Sequence, residues 1–214
     1  MDTGGKWILG LTGGIASGKT AASDWLAAAG CAVVDADTES RAVTRPGGEA
    51  IPEIARAFGK YYILPDGSLD RAKMRALVFS SPDDRKKLEA IVHPLVRRRI
   101  EERLRAASGC YTVLVVPLLA SILAWRPALA RLLAVDLPES DQTERLRARS
   151  GLSEDEARAI IASQASRAER IAAADDVIVN CGTKEELFEA LASLHEHYLA
   201  LARAQGPKAR KEKS

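Results

Sequence analysis

The chain has 214 residues, of which 47% are hydrophobic, 28% charged and 5% aromatic. This usage is ordinary for a globular protein and excludes a wholly disordered chain, a collagen and a coiled-coil rod, while the length allows one elaborated domain or a core that carries insertions. The formal net charge is +2, but residues 208–214 contribute +3, and the −1 that remains on residues 1–207 argues against a basic nucleic-acid-binding face.

Five short apolar runs predict the β-strands of the fold. They are Trp7–Leu11, Ala32–Val34, Thr112–Val116, Leu132–Asp136 and Val177–Val179. Each is apolar at successive positions rather than at alternate ones, which is typical of parallel strands buried on both faces. Because helical patterns separate the runs, the sequence predicts an α/β fold with a mostly parallel five-stranded sheet.

A glycine-rich segment follows the first predicted strand and precedes a predicted helix. Its residues match G-x-x-x-x-G-K-[ST] in full: Gly13, Gly14, Ile15, Ala16, Ser17, Gly18, Lys19 and Thr20. In such a P-loop the backbone N–H groups and the helix N-terminus bind phosphate, the lysine reaches the β- and γ-phosphates, and the threonine hydroxyl ligates Mg²⁺. The sequence therefore predicts a P-loop NTPase core that binds a nucleoside triphosphate through this segment and the adjoining Ala21, with Thr20 as the Mg²⁺ ligand.

Two acids follow the second predicted strand, at the carboxyl edge where α/β proteins bind ligands. Asp35 and Asp37 are two residues apart, so alternation along the strand would direct both side chains to the same side. A carboxylate there can accept a proton from an acceptor hydroxyl or can hold Mg²⁺. For either residue taken alone, the alternative is a helix N-cap.

Residues 35–109 contain no convincing core strand and predict an inserted helical subdomain with a loop at Leu64–Gly67. Ser81 and Pro82 predict the start of one helix, and Pro94 predicts that the same helix kinks or ends locally. His93 precedes that proline. A lone histidine is more often a packing or hydrogen-bonding residue, and a substrate contact is the alternative.

Residues 139–174 predict a second helical excursion, which we interpret as a mobile lid. The segment contains six arginines: Arg145, Arg147, Arg149, Arg158, Arg167 and Arg170. Guanidinium groups stabilise the charge that develops in phosphoryl transfer, and Arg145 and Arg149 share a helix face. A solvated charged surface is the alternative for each arginine. Capping-box spacing at Ser153–Glu156 and Thr183–Glu186 predicts two further helix starts.

The chain has three cysteines, Cys31, Cys110 and Cys181. They lack zinc-type spacing to one another or to the histidines, and we interpret them as buried small hydrophobes in a reducing compartment. His195 and His197 are assigned no function. Neither a signal peptide nor a membrane span is recognised, so a cytoplasmic protein without a membrane partner is expected, and residues 206–214 predict a basic flexible tail.

Taken in order, these motifs resemble the dephospho-coenzyme A kinase family from Leu9 to about Tyr198. Besides the P-loop and Asp35–Asp37, the resemblance rests on Asp66–Arg71, Val78–Phe79, Ile91–Leu95, Val116–Leu119, Gln164–Arg167 and Ala174–Asn180. It implies a P-loop nucleotide-binding core formed by residues 1–34, 110–138 and 175–205. It further implies a helical CoA-binding subdomain at 35–109 and a lid at 139–174.

The resemblance also implies the reaction, which is ATP-dependent phosphorylation of the ribose 3′-hydroxyl of dephospho-CoA to give CoA and ADP, with Mg²⁺ as cofactor. By the family pattern Asp37 is the base, Lys19 and Arg145 stabilise the transferred charge, and Arg149 binds ATP. The positions of Asp35, Arg41 and His93 match the acceptor site. The expected partners are ATP and dephospho-CoA, with no nucleic acid, and the expected state is a monomer or weak homo-oligomer.

Two residues depart from the family pattern. Ala16 replaces a usual glycine, and its methyl group restricts the loop at positive φ but is tolerated at negative φ. Ser121 replaces a usual glutamate; if that glutamate organises the CoA subdomain or a metal-bound water, turnover should be slower or acceptor binding weaker. Two alternatives stay open: a P-loop kinase for another small acceptor such as a nucleoside or nucleotide, and an NTP-binding protein with weak or lost catalysis.

Overall fold

Five strands form one sheet in the computed structural model of the protein, which describes residues 5–205. They are β1 Ile8–Gly13, β2 Ala32–Asp35, β3 Thr112–Val115, β4 Arg131–Asp136 and β5 Asp176–Val179. The order across the sheet is β2-β3-β1-β4-β5. Strand β1 runs parallel to β3 and β4, and β4 runs parallel to β5. The predicted α/β class and mostly parallel sheet are confirmed.

The burial of each strand follows its place in the sheet. Every residue of β1 and β3 is buried, and β4 is buried apart from the half-buried Arg131. The edge strand β5 exposes Val177 and Val179. Leu26 and Leu191 belong to helices that pack against the sheet in the same core. The continuous apolar pattern therefore marks the central strands, which are covered on both faces.

Ten α-helices and two short 3₁₀ turns lie within residues 5–205. The helices are α1 Lys19–Ala28, α2 Ala36–Val43, α3 Ile51–Phe58, α4 Arg71–Ser80, α5 Pro82–Ala106, α6 Leu119–Leu123, α7 Glu139–Ser150, α8 Glu154–Ala162, α9 Arg167–Ala173 and α10 Lys184–Gln205. The 3₁₀ turns are Lys60–Tyr62 and Arg126–Ala128. The predicted loop at Leu64–Gly67 is a turn, in which the Gly67 N–H donates to the Leu64 carbonyl at 2.9 Å.

Three predicted helix starts are confirmed by their capping hydrogen bonds. The Ser81 hydroxyl accepts a backbone N–H from three residues further on, at 3.2 Å. Ser153 and Glu156 form a complete capping box. The Thr183 N–H donates to the Glu186 carboxylate at 2.8 Å, and the Thr183 hydroxyl accepts from the Glu186 N–H at 3.2 Å. These bonds satisfy backbone donors that have no partner within a helix.

The chain divides into two compact units. One comprises the chain up to Val34 together with the chain from Leu104 onward, and the other is Asp35–Arg103. The second unit has a core of its own, formed by Val43, Ala50, Ile54, Leu69 and Met74. Its long helix α5 continues through Pro94, so an end of the helix at this proline is excluded. Apolar residues on both sides of the proline, including Ile91 and Val96, pack against that core and hold the helix.

The cysteines differ from the expectation that all three are buried. Cys31 is buried, but Cys110 and Cys181 are exposed. Cys110 lies in the bend before β3, and Cys181 lies two residues after the end of the edge strand β5, so both lie outside the strands of the sheet.

The sequence also led to expectations about a C-terminal tail and about membrane-spanning helices. The predicted basic tail at residues 206–214 lies outside the described residues. Within residues 5–205, no helix combines the length and the apolar character needed to cross a membrane.

Candidate active site

The glycine-rich loop between β1 and α1 has the tight backbone that its motif predicts. Gly18 has a φ of 95° and caps α1, and the Ser17 N–H donates to the Gly14 carbonyl at 3.2 Å. A Cβ atom at Gly18 would lie 2.3 Å from Asn180 Nδ2, and one at Gly14 would lie 2.9 Å from Arg170 Nη2. Gly18 requires glycine because of its left-handed backbone and this close contact with Asn180, whereas a side chain at Gly14 would displace the ends of the side chains packed against it.

An open cleft of about 480 Å³ surrounds this loop. Its lining consists of residues Gly13–Thr20 with Pro117, Arg145, Arg149 and Gln164. The structure therefore brings the predicted P-loop together with two of the arginines predicted to act on ATP. Ala21, which was also predicted to bind ATP, is half-buried in α1 and is not among the lining residues.

The first two residues of α1 place a cation and a hydroxyl beside the loop. Lys19 is half-buried and Thr20 is exposed. In the described part of the chain the Thr20 hydroxyl makes no hydrogen bond, so its oxygen is free to ligate a hard cation. The N-terminus of α1 favours anions in the same cleft. These residues therefore fit Mg²⁺ that is bound together with phosphate groups.

Asn180 connects the loop to helix α7. Its Nδ2 donates to the Ser17 carbonyl at 2.8 Å, and its own carbonyl accepts from Arg145 Nη2 at 2.9 Å. Asn180 is buried, and its hydrogen bond to Ser17 is shielded from water, whereas its bond with Arg145 is partly buried. The guanidinium of Arg145 is thereby held at the cleft by the residue that also supports the loop.

Gln164 makes a second connection to the loop, from the segment between α8 and α9. Its Oε1 accepts the backbone N–H of Ile15 at 3.1 Å. This N–H belongs to the phosphate loop, where backbone donors bind phosphate oxygens. The loop conformation is therefore supported from two sides, by Asn180 at Ser17 and by Gln164 at Ile15.

Three of the six predicted lid arginines are ion-paired and are not among the residues that line the phosphate cleft. Arg158 lies 2.6 Å and Arg147 lies 3.9 Å from carboxylate oxygens of Glu154. Arg167 binds the buried carboxylate of Asp136 at 2.7 Å. For these three residues the alternative of a charged, paired surface fits the structure better than a contact with ATP. Arg145 and Arg149 line the cleft, as their shared helix face predicts.

Arg170 is different because it is buried against the loop. It is 4% exposed, its Nη2 lies close to Gly14, and its guanidinium donates to the Ala165 carbonyl. Burial lowers the pKa of Arg170, and the carboxylates of Asp136 and Glu139 oppose that shift. Arginine stays protonated in proteins even so, and Arg170 therefore adds a fixed positive charge beside the phosphate loop.

The two predicted acids lie in the second unit and differ in their surroundings. The Asp35 Oδ1 accepts from the Asp37 N–H at 2.7 Å and from the Thr38 N–H at 3.1 Å, so Asp35 is the N-cap of α2. Asp37 is exposed, and its carboxylate has no hydrogen-bond partner among the described residues. Of the two, Asp37 has the carboxylate that is free to accept a proton from a substrate.

Arg41 and His93 are the other residues predicted to contact the acceptor. Arg41 is exposed and lies four residues after Asp37 on α2, so the two share a helix face. His93 is exposed within α5, directly before Pro94. Their contact with an acceptor stays a prediction.

Comparison with known proteins identifies the family. The family model described as dephospho-CoA kinase matches residues 7–186. The chain belongs to this family. A dephospho-CoA kinase of Aromatoleum aromaticum is 51% identical over 200 residues, which cover 94% of this chain and 98% of the relative.

Two solved structures have the same fold. The crystal structure of TT1252 from Thermus thermophilus superimposes with a TM-score of 0.77 at 35% identity, covering 90% of this chain and 97% of that one. A dephospho-CoA kinase from Campylobacter jejuni superimposes with a TM-score of 0.63 at 20% identity, covering 89% and 96% of the two chains.

Ala16 is the first departure from the dephospho-CoA kinase pattern. It has a φ of 60°, and within residues 5–205 no other residue besides glycine has a positive φ. Of the two cases considered for this position, the structure therefore has the positive-φ one, in which the methyl group of alanine restricts the loop. That conformation costs an alanine roughly 1–2 kcal/mol relative to the right-handed one.

Ser121 is the second departure. It lies in the short helix α6 with an exposed side chain. From the segment that precedes it, Pro117 lines the phosphate cleft. An effect of Ser121 on turnover or acceptor binding stays a prediction.

Sequence reasoning gave no individual role to three side chains beside the loop, which are Pro117, Gln164 and Asn180. One of them had a recognisable signal. Asn180 is a polar residue directly after an apolar strand, at the carboxyl edge where α/β proteins bind ligands. Gln164 is separated from Ile15 by 149 residues, and no local pattern predicts that pairing.

Proposed function

We propose that the protein transfers the γ-phosphoryl group of ATP to the ribose 3′-hydroxyl of dephospho-CoA and releases CoA and ADP, the final step of coenzyme A synthesis. The observation that carries the proposal is the cleft in which a complete phosphate loop faces the cationic side chains of Lys19, Arg145 and Arg149. Membership of the dephospho-CoA kinase family supports the choice of acceptor.

The phosphate side of the reaction depends on positioning and charge. Backbone N–H groups of the loop and the N-terminus of α1 bind the phosphate oxygens of ATP. Lys19 reaches the β- and γ-phosphates, and Arg145, oriented by Asn180, stabilises the charge on the transferred group. Arg149 contributes a second guanidinium at the mouth of the cleft.

Mg²⁺ is the cofactor that these residues fit. Thr20 would hold it through the free hydroxyl described above. When bound, Mg²⁺ neutralises charge on the β- and γ-phosphate oxygens.

Asp37 is the proposed base on the acceptor side. It takes the proton of the 3′-hydroxyl as the new oxygen–phosphorus bond forms and the bond from the γ-phosphorus to ADP breaks. Asp35 holds the first turn of α2 in place and thereby positions Asp37. Arg41 and His93 belong to the proposed CoA-binding subdomain of residues 35–109.

Residues 139–174, which form α7 to α9, are the proposed lid. Closure over ATP and acceptor together keeps water from the γ-phosphate, which would otherwise be hydrolysed. We place the reaction in the cytoplasm, with a monomer or weak homo-oligomer as the catalyst and with no nucleic-acid or membrane partner. The net charge of −1 on residues 1–207 supports the lack of a nucleic-acid partner.

ADP release with ATP and Mg²⁺, measured with and without dephospho-CoA, tests the proposal. We expect strong stimulation by dephospho-CoA in the wild type and its loss in Lys19→Ala, with ³¹P NMR showing a new 3′-phosphomonoester. Stimulation by a nucleoside but not by dephospho-CoA would point to a different acceptor. ATP binding without stimulation by any acceptor would indicate an NTP-binding protein.

A further inference from the structure

Two thiols and an imidazole come together at the amino ends of β2 and β3, in the unit that contains the phosphate loop. Cys31 directly precedes β2, Cys110 lies two residues before β3, and His195 projects from α10. The two Sγ atoms are 3.4 Å apart, and Cys31 Sγ lies 3.9 Å from His195 Nδ1. The three donor atoms all lie within 4.8 Å of one another. Separations of 79 and 164 residues along the chain explain why sequence spacing gave no sign of this cluster.

We propose that Cys31, Cys110 and His195 form a binding site for Zn²⁺ that is separate from the Mg²⁺ of the phosphate cleft. Zinc binds thiolate sulfur at about 2.3 Å and imidazole nitrogen at about 2.0–2.1 Å in tetrahedral geometry. Such a tetrahedron requires sulfur–sulfur and sulfur–nitrogen distances of about 3.8 and 3.5 Å. The two separations from Cys31 Sγ differ from these values by about 0.4 Å, and Cys110 Sγ lies within 4.8 Å of the His195 donor atom, so side-chain adjustments bring the three donors to these distances.

The charge and the donor atoms of the cluster favour zinc over magnesium. Two thiolates and one neutral imidazole balance the charge of a divalent cation, so the occupied site is neutral, as a largely buried position requires. Cys31 and His195 are 7% and 8% exposed. Magnesium prefers oxygen ligands and octahedral geometry, which this set of sulfur and nitrogen donors does not offer.

Neighbouring groups support the ligands and leave an entry path. The Tyr111 hydroxyl lies 2.9 Å from His195 Nδ1, and it opposes the rise that burial causes in the pKa of Cys31. For Nδ1 to bind the metal, this hydroxyl has to give up its contact with Nδ1, and it can then donate to the Cys31 thiolate as an outer hydrogen-bond donor, the kind of contact that orients metal ligands. Cys110 is exposed, so the metal and a water at the fourth position can enter from its side.

Binding is coupled to proton release. Burial raises the pKa of Cys31 to about 12, so the metal-free protein holds this residue as a thiol. On binding, the two thiols become thiolates and two protons pass to the solvent, while the imidazole binds in its neutral form. The oxidation state of sulfur does not change.

The position of the cluster predicts a structural role. It joins the amino ends of two neighbouring strands to α10, whereas the phosphate loop follows the carboxyl end of β1. A metal that binds only the folded chain stabilises it by mass action. Zinc should therefore raise the unfolding temperature without being needed for ADP formation.

Titration of the full-length, metal-free, reduced protein with Co²⁺ tests the site, because tetrahedral thiolate-bound cobalt has charge-transfer and visible d–d absorption bands. We expect one Co²⁺ per chain, displacement by one Zn²⁺, and a higher unfolding temperature with Zn²⁺. Cys110→Ser should weaken binding at least about a hundredfold, beyond the 10–100-fold typical of outer partners. The matched control is Cys181→Ser, which changes an exposed cysteine outside the cluster and should bind as the wild type does.

Several outcomes would overturn the proposal. One is equal Co²⁺ affinity in Cys110→Ser and Cys181→Ser, and another is an absence of thiolate bands in the reduced wild type. A third is a reduced chain that binds no metal but loses two thiols to a disulfide when treated with a hydroperoxide, since the cluster would then be a redox pair.

The unfolding temperature of metal-free Cys110→Ser is the control for folding. If it equals that of the metal-free wild type, the variant folds, and its loss of metal binding reports on the missing ligand.

Discussion

Asn180 donates a 2.8 Å hydrogen bond from Nδ2 to the backbone carbonyl of Ser17, and this contact fixes the phosphate loop against the end of β5. The same residue accepts a 2.9 Å hydrogen bond from Arg145 at its own carbonyl. Asn180 therefore orders the loop that binds phosphate through its side-chain amide, and it orders the arginine proposed to stabilise the transferred phosphoryl group through its backbone carbonyl. Substitution of Asn180 and of Arg145 in turn separates these effects.

Asn180→Asp should weaken ATP binding more than it changes turnover at saturation. The carboxylate cannot donate to the Ser17 carbonyl, and its negative charge lies next to a loop that binds phosphates. Leaving a buried acceptor without its donor costs about 1–3 kcal/mol of stability. We expect the KM for ATP to rise by about tenfold or more, which corresponds to about 1.4 kcal/mol. Steady-state kinetics and thermal unfolding check both effects, and a KM equal to that of the wild type would contradict the role of Asn180 at the loop.

Arg145→Met should reduce kcat with a smaller effect on the KM for ATP, because its guanidinium acts on charge that develops during transfer. Loss of one such donor typically costs about 10²–10³-fold in kcat. The matched control is Arg158→Met, since Arg158 pairs with Glu154 and does not line the phosphate cleft. We expect that control to keep kcat within about twofold, as for an exposed ion pair of small energy. Equal losses in both variants would remove Arg145 from its proposed role.

Local sequence patterns predicted those features of the fold that depend on neighbouring residues. The P-loop motif, the central strands and the capping boxes are each determined by residues close together in the chain, and each is confirmed. The contacts of Gln164 with Ile15 and of Cys31 with His195 join residues 149 and 164 positions apart, and only the packed fold brings them together. The exposure of Cys110 was also missed, because cysteine is usually buried and the preference of a residue type does not reveal a bend.

Because Ala16 has left-handed backbone, Ala16→Gly should raise the free energy of unfolding, whereas most substitutions lower it. Ala16→Gly removes a conformational cost of roughly 1–2 kcal/mol, while the added freedom of the unfolded chain costs roughly 0.5–1 kcal/mol. The net expectation is a gain of up to about 1.5 kcal/mol in the free energy of unfolding. Chemical denaturation measures this gain.

Ala192→Gly is the matched control, because Ala192 is an exposed interior residue of α10. This substitution should lower the free energy of unfolding by about 0.5–1 kcal/mol. Equal destabilisation in both variants would show that position 16 does not need the left-handed conformation.

Asp176 should determine part of the acid sensitivity of the fold. Burial raises the pKa of its carboxyl, but hydrogen bonds from Arg131 at 2.7 Å and from the Tyr198 hydroxyl at 2.9 Å outweigh burial and hold the pKa below its usual range. A carboxyl whose pKa is lower in the folded state adds stability that is present above its unfolded value, ~3.9, and is lost as the pH falls through the folded value. Asp176→Asn should therefore flatten the curve of unfolding free energy against pH below about pH 4.

Tyr198→Phe provides the graded comparison for this effect. It removes one of the hydrogen bonds that lower the pKa of Asp176 and leaves the ion pair with Arg131 in place. We therefore expect its acid limb to lie between those of the wild type and Asp176→Asn, because the pKa of Asp176 moves only part of the way back to its unfolded value. Urea unfolding at a series of acidic pH values gives the three curves. Acid limbs of equal steepness in the wild type and Asp176→Asn would mean that other carboxyl groups determine the acid stability of this sheet.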